Sequence, residues 1–168
     1  MVIESLLLQS TAIVTTDASI KNNIATSISH MHISNQPLTK TIYHAAFVTS
    51  TEAELFVIRY SINQASAKES ISKIIVITDS IHMAKKIFDP MSHPLQIHAV
   101  AILEELCYFF SRNSNNAIEF WESPSHLNWH LYKAVDCKSK SSNPTPVYLC
   151  KTSWNFTRKS ECDDILCI

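Results

Sequence analysis

At 168 residues, 46% of them apolar and 17% charged, the chain has the size and composition of one folded domain and not of a disordered tail. Its formal net charge of −1 excludes a global basic field, so any affinity for nucleic acid has to come from a local patch of Lys and Arg. Glycine is absent altogether. Turns that need a positive φ therefore fall to Asn or Asp, with Asn22-Asn23, Asn35 and the stretch Asn113 to Asn116 as the expected places.

Residues 1–11 read as an N-terminal extension. MVIESLLLQSTAIV carries Glu4 and no basic leader, and no apolar run is long enough to span a bilayer, which points to an intracellular protein of the nucleus or cytoplasm. Five scattered cysteines (Cys107, Cys137, Cys150, Cys162, Cys167) fit reduced thiols better than a disulfide framework, and none forms a C-x-x-C pair.

Ala12 to Thr16 is a β-branched run that ends at Asp17. Ile24 to Ile33 alternates as a half-buried strand does, and Thr39 to Val48 reads as a third strand after the Asn35-Gln36-Pro37 turn. The three suggest an antiparallel meander. From Thr51 to about Ala67 the period becomes helical through Leu55, Ile58, Ile62 and Ala65, with Thr49 and Glu52 spaced as a capping box. Glu54 has two readings: a cluster acid, or the capping partner of Thr51 with Glu52 in its place. Ile74 to Ile77, apolar on both faces, suits a central parallel strand and ends in Thr78-Asp79. Ser80 to Phe88 and Leu95 to Ser111 read as helices, Ala117 to Trp121 as a fifth strand, and Trp129 to about Lys140 as a last helix. The expected fold class is α/β, a mixed five-stranded sheet flanked by helices in the order β-β-β-α-β-α-α-β-α. The domain spans residues 12–140, and 141–168 form a C-terminal extension without clear period.

Asp17 and Asp79 stand at expected strand ends, where open sheets bind ligands. Acids gathered inside a fold repel one another and resist desolvation, so they persist only when protonated or neutralised by a cation. All-oxygen ligation favours magnesium, with manganese as the alternative. His30 and His32 share a strand face without a third ligand in view and read as surface histidines. Trp121 and Trp129 read as packing residues. Lys85-Lys86 reads either as a solvated face or as part of a nucleic-acid groove.

Four segments in this order resemble the type 1 ribonuclease H family: TTDAS (Thr15 to Ser19), TEAEL (Thr51 to Leu55), ITDS (Ile77 to Ser80) and SPSHLNWHLYKAVD (Ser123 to Asp136). The phrasing, with INQA, IFDP and the Pro-Ser-His loop, is most similar to domains that end fungal non-LTR retrotransposon polyproteins. The likeness covers roughly Ile13 to Lys140. It implies cleavage of the RNA strand of an RNA–DNA hybrid, with Asp17, Glu54, Asp79 and Asp136 holding two magnesium ions. His126, ten residues before Asp136, would assist proton transfer or product release. It also implies a monomer or a part of a longer polyprotein. Two departures stand out. Ala18 replaces the usual Gly after the first acid, and Leu131, Tyr132 and Lys133 occupy the Gly and Asn-Glu positions before the last, which adds bulk and a positive charge beside the site. Rival readings are a catalytically degenerate domain that keeps only the fold and weak nucleic-acid binding, and an unrelated interaction module whose four acids lie far apart.

Overall fold

A computed structural model describes residues 10–46, 48–89, 91, 95–123 and 130–141. The element order is β1 (Thr11–Lys21), β2 (Ile24–Ile33), β3 (Thr39–Ala46), α1 (Ser50–Ser66), β4 (Lys73–Thr78), α2 (Ile81–Lys86), α3 (Gln96–Arg112), β5 (Ala117–Glu122) and α4 (His130–Ser141). The expected order and types are found, and the strands form one sheet in the order β3-β2-β1-β4-β5.

β1, β2 and β3 form the antiparallel meander, and β4 and β5 add parallel to β1. The middle place therefore belongs to β1, and β4 is an interior strand beside it. Asp17 does not close β1. The strand runs on to Lys21, paired with β2 as far as Lys21↔Ile24, whereas its pairing with β4 stops at Thr15↔Ile77. The cause is the tight turn at Asn22 and Asn23, which keeps both strands of the hairpin in register to their tips. Asp17 thus lies just past the point where β1 and β4 part, and Asp79 directly follows β4. The chain leaves β1 toward β2 on one side and reaches β4 and β5 on the other, which makes this gap the switch point of the sheet.

The period of two in β1 sorts its side chains between two layers. Ala12 and Val14 join the larger core with Leu55, Ile58 and Ile62 of α1, Ile102, Leu106 and Phe109 of α3, and Met31, Ile74 and Val76 of neighbouring strands. Burial of each of these side chains larger than Ala stabilises the fold by about 1.5–3 kcal/mol. Ile13 faces the other way with Ile75, Ile77 and Trp121, and α4 packs against β1 and β2. Trp121 therefore packs, as expected, and its Nε1 donates to Glu119 at 2.9 Å. His30 is a correction. It is buried, since β2 is covered on both faces, and its pKa falls to about 4 through burial and then the nearby Lys40, His32 and Lys138.

The N-terminus of α1 is fixed locally. The Thr49 hydroxyl accepts from the Glu52 amide at 3.2 Å, and the Glu52 carboxylate accepts from the Thr49 amide at 3.0 Å. The capping role thus belongs to Glu52 with Thr49 as its partner, and not to Glu54 with Thr51. Farther along, Ser61 donates to Ser29 at 2.8 Å and Ser27 donates to the Ala53 carbonyl at 3.1 Å, tying α1 to β2.

Among the described residues the positive-φ positions are Asn22, Asn23 and Asn35. The turn at Asn113 to Asn116 needs none: Asn113 is extended, and its side-chain oxygen accepts from the Asn115 amide at 2.9 Å. At Asn23, with φ of 61°, a β-branched side chain would clash with the backbone. We expect Asn23→Val to destabilise the protein by about 1–2 kcal/mol in urea unfolding, whereas Asn23→Gly should not.

Candidate metal centre

The candidate site lies in the gap between β1 and β4. Asp17 comes from the middle strand, Asp79 from the residue after β4, and Glu54 from the first turns of α1. Each offers a carboxylate oxygen to one cluster, with all three oxygens within 4.8 Å of one another. Asp17 and Glu54 are buried; Asp79 is exposed and forms the open lip. The capping box positions Glu54 by fixing where α1 starts. Its Oε1 accepts from the Ala18 amide at 3.2 Å. Its Oε2 is buried and has no hydrogen-bond partner.

That orphaned oxygen tests whether a cation belongs here. A buried carboxylate oxygen without a donor is unfavourable unless a proton or a metal ion satisfies it. Oxygens on opposite sides of a six-coordinate magnesium or calcium ion stand about 4–5 Å apart, so the trio can surround one such ion. The donor set, all carboxylate, suits a hard cation. Asp17, Glu54 and Asp79 fit the group.

The electrostatics agree. Burial, then the charges of Asp17 and Asp79, push the Glu54 carboxyl up to about 9, against the weaker opposing hydrogen bond from Ala18. Burial also raises Asp17, opposed by hydroxyl donors from Ser139 and Tyr132 and reinforced by Asp79 and Asp136. The Tyr132 hydroxyl donates to Asp17 Oδ1 at 3.0 Å and lies within hydrogen-bonding reach of Asp79. Ser139 donates to Asp17 Oδ2 at 2.5 Å. Burial and the two acids push the Tyr132 phenol far upward, so it stays a donor.

The fourth predicted acid stands apart from this trio. Asp136, half-buried on α4, makes an ion pair with Lys140 one turn on, although its charge still reaches Asp17. His126 lies outside the described residues, as do Trp129, Cys150, Cys162 and Cys167. Cys107 and Cys137 are free and exposed. Of the two lysines on α2, Lys86 bonds Asp89 at 2.7 Å, and Lys85 is exposed. The clustering of three acids removes the reading in which all four are dispersed.

Sequence reasoning saw Tyr132 only as bulk beside the site and passed over Ser139. Their spacing held a signal: Tyr132, Asp136 and Ser139 fall at i, i+4 and i+7, one face of a helix. That face lies over Asp17.

No protein-family profile matches the chain, and no curated protein matches it in sequence. Solved structures match it in fold. Ribonuclease H1 from the halophilic archaeon Halobacterium salinarum NRC-1 superposes with a TM-score of 0.58 at 14% identity, over 76% of this chain and 92% of that one. The N-terminal ribonuclease H domain of a Mycobacterium tuberculosis protein, solved as a fusion with maltose-binding protein, gives 0.58 at 15% identity over 79% and 98%. The fold is that of ribonuclease H.

The raised carboxyls set a pH dependence. Glu54 has its folded value near 9 against an ordinary 4.5, so between those limits the folded state holds a proton that the unfolded state has lost. The contribution of Glu54 to the stability of the ion-free protein is then fully present below pH 4.5 and falls as pH rises toward 9. Thermal melts across this range should show that decline. Glu54→Gln should flatten it, and millimolar magnesium should offset it at the alkaline end; a parent melt that is level from pH 5 to 9 would refute the assignment.

Proposed function

We propose that the protein is a metal-dependent endonuclease that hydrolyses the RNA strand of RNA–DNA hybrids. The observation that carries this reading is the trio Asp17, Glu54 and Asp79, gathered within 4.8 Å at the switch point of a ribonuclease H fold, with a buried Glu54 oxygen lacking a donor. A magnesium ion bound there, or manganese in its place, supplies positive charge at the phosphodiester and lowers the pKa of water.

The chain's own residues define the rest. Asp17 anchors the site from the rigid middle strand, its orientation fixed by Tyr132 and Ser139. Glu54 closes the inner wall, where its burial excludes water. Asp79 is exposed and faces the side from which a phosphate backbone can approach. In this reading Asp136 completes the acid set from α4, and His126 handles the proton or the departing product. The phrasing of INQA, IFDP and the Pro-Ser-His loop, which resembles that of retrotransposon domains, supports an origin in such an element, with the domain acting as a monomer or within a longer polyprotein in the nucleus or cytoplasm. Among the described residues no helix is long and apolar enough to cross a membrane.

One observation favours a second reading. Asp17 and Asp136 already hold donors from α4, namely Tyr132, Ser139 and Lys140. A domain that keeps the fold and weak nucleic-acid binding without turnover fits that arrangement.

Cleavage of a labelled RNA–DNA hybrid separates the two. The parent protein should cut the RNA strand only with magnesium or manganese present, and Asp79→Asn should lower the rate by at least about 100-fold, the order expected for losing a charge-stabilising group. Well-folded parent protein that leaves the hybrid intact with either ion would support the degenerate reading.

A further inference from the structure

We propose that this centre takes one divalent cation and not two, because α4 fills the second place, between Asp17 and Asp136, with its own donors Ser139 and Lys140. The inference rests on the cation-binding part of the reading above and is independent of hydrolysis.

The four acids divide unequally. Three bring oxygens within 4.8 Å of one another and can surround a single ion, and one of the three, Glu54, has a buried Oε2 without a hydrogen-bond partner. The fourth, Asp136, is engaged by the Lys140 ammonium. That ion pair is weak by itself, for Lys140 is mostly exposed and a divalent ion would compete well against a solvated lysine.

The closure is made by Ser139, which is buried. Its hydroxyl donates to Asp17 Oδ2 at 2.5 Å and also faces the Asp136 carbonyl at 2.9 Å. Its carbonyl in turn accepts from the Ser19 hydroxyl at 2.7 Å. The last turn of α4 is thereby fastened to β1 at Asp17 and at Ser19, so Asp17 already holds a protein donor on the side that meets α4. The other Asp17 oxygen accepts from Tyr132, so both oxygens already hold one donor. A carboxylate oxygen has two lone pairs, and one on each remains. That capacity serves a cation in the trio. A second cation bridging Asp17 and Asp136 has to compete with the buried Ser139 hydroxyl on Asp17 Oδ2 and with the Lys140 ammonium on the Asp136 carboxylate.

The test counts ions. Manganese alone is titrated into the full chain, with free ion followed by electron paramagnetic resonance and heat by calorimetry. The parent should bind one equivalent, Asp79→Asn should lose it, and Ser139→Ala/Lys140→Ala should gain a second. Two equivalents in the parent overturn the inference whether or not the variant folds. A double variant that is folded by circular dichroism and still binds one equivalent overturns the assignment of Ser139 and Lys140. A parent that binds none overturns the cation site itself. Hybrid cleavage measured on the same samples keeps the two readings apart: two equivalents with cutting leaves hydrolysis standing, and one equivalent without cutting supports the present inference while removing hydrolysis.

Discussion

Two buried carboxylates that face each other set the terms for the rest of this molecule. Asp17 and Glu54 have left water, burial raises both carboxyls, and the Asp17 charge raises the energy of ionising Glu54 further. Such a pair stays buried only while rigid surroundings deny it relaxation. The sheet provides this from one side, because Asp17 belongs to the middle strand and is paired to β2 beyond its own position. The capping box provides it from another by fixing the start of α1 and so the height of Glu54. Placing charges is harder than placing apolar groups, and the surrounding hydrogen bonds are correspondingly directional.

The division of the sheet explains why the pair lies where it does. Parallel pairing between β1 and β4 ends at Thr15 and Ile77, whereas the β1–β2 hairpin continues. The widening gap leaves backbone groups and side chains facing a cleft instead of a neighbouring strand. Ala18 shows the effect, since its amide donates to Glu54 across the elements. A glycine at this position is not required for that bond, which uses only the main chain of Ala18. The Ala18 methyl alters what can approach from outside more than how the acids are held.

Features written in local spacing were the legible ones. The meander, the apolar run of β4, the helical period of α1 and the Thr49–Glu52 cap depend on residues within a few positions of one another, and they are found. The end of β1 differs from the sequence reading because its last residues lose their burial, Ser19 being half-buried and Ile20 and Lys21 exposed, while the hairpin still pairs them. His30 was misread because a histidine in a strand looks polar, and coverage by α4 was needed to bury it. The contacts of Tyr132 and Ser139 with Asp17 bridge 115 and 122 residues. No local pattern reports a pairing at that range. Only the docking of α4 on β1 and β2 does, and it turns a metal-ligand motif into a site with its own set of donors.

The glycine-free sequence bears on the unfolded chain as much as on the folded one. Every residue carries a Cβ, so nowhere does the denatured ensemble gain the extra backbone freedom that glycine confers, worth roughly 0.4–1 kcal/mol per position through the unfolded state. Asn22, Asn23 and Asn35 hold left-handed backbone in the native state at some cost. That cost is set against an unfolded ensemble already narrowed along its whole length. Part of what keeps the acids buried is therefore entropic and lies outside the native contacts: a chain with fewer ways to be unfolded can tolerate more repulsion when it folds.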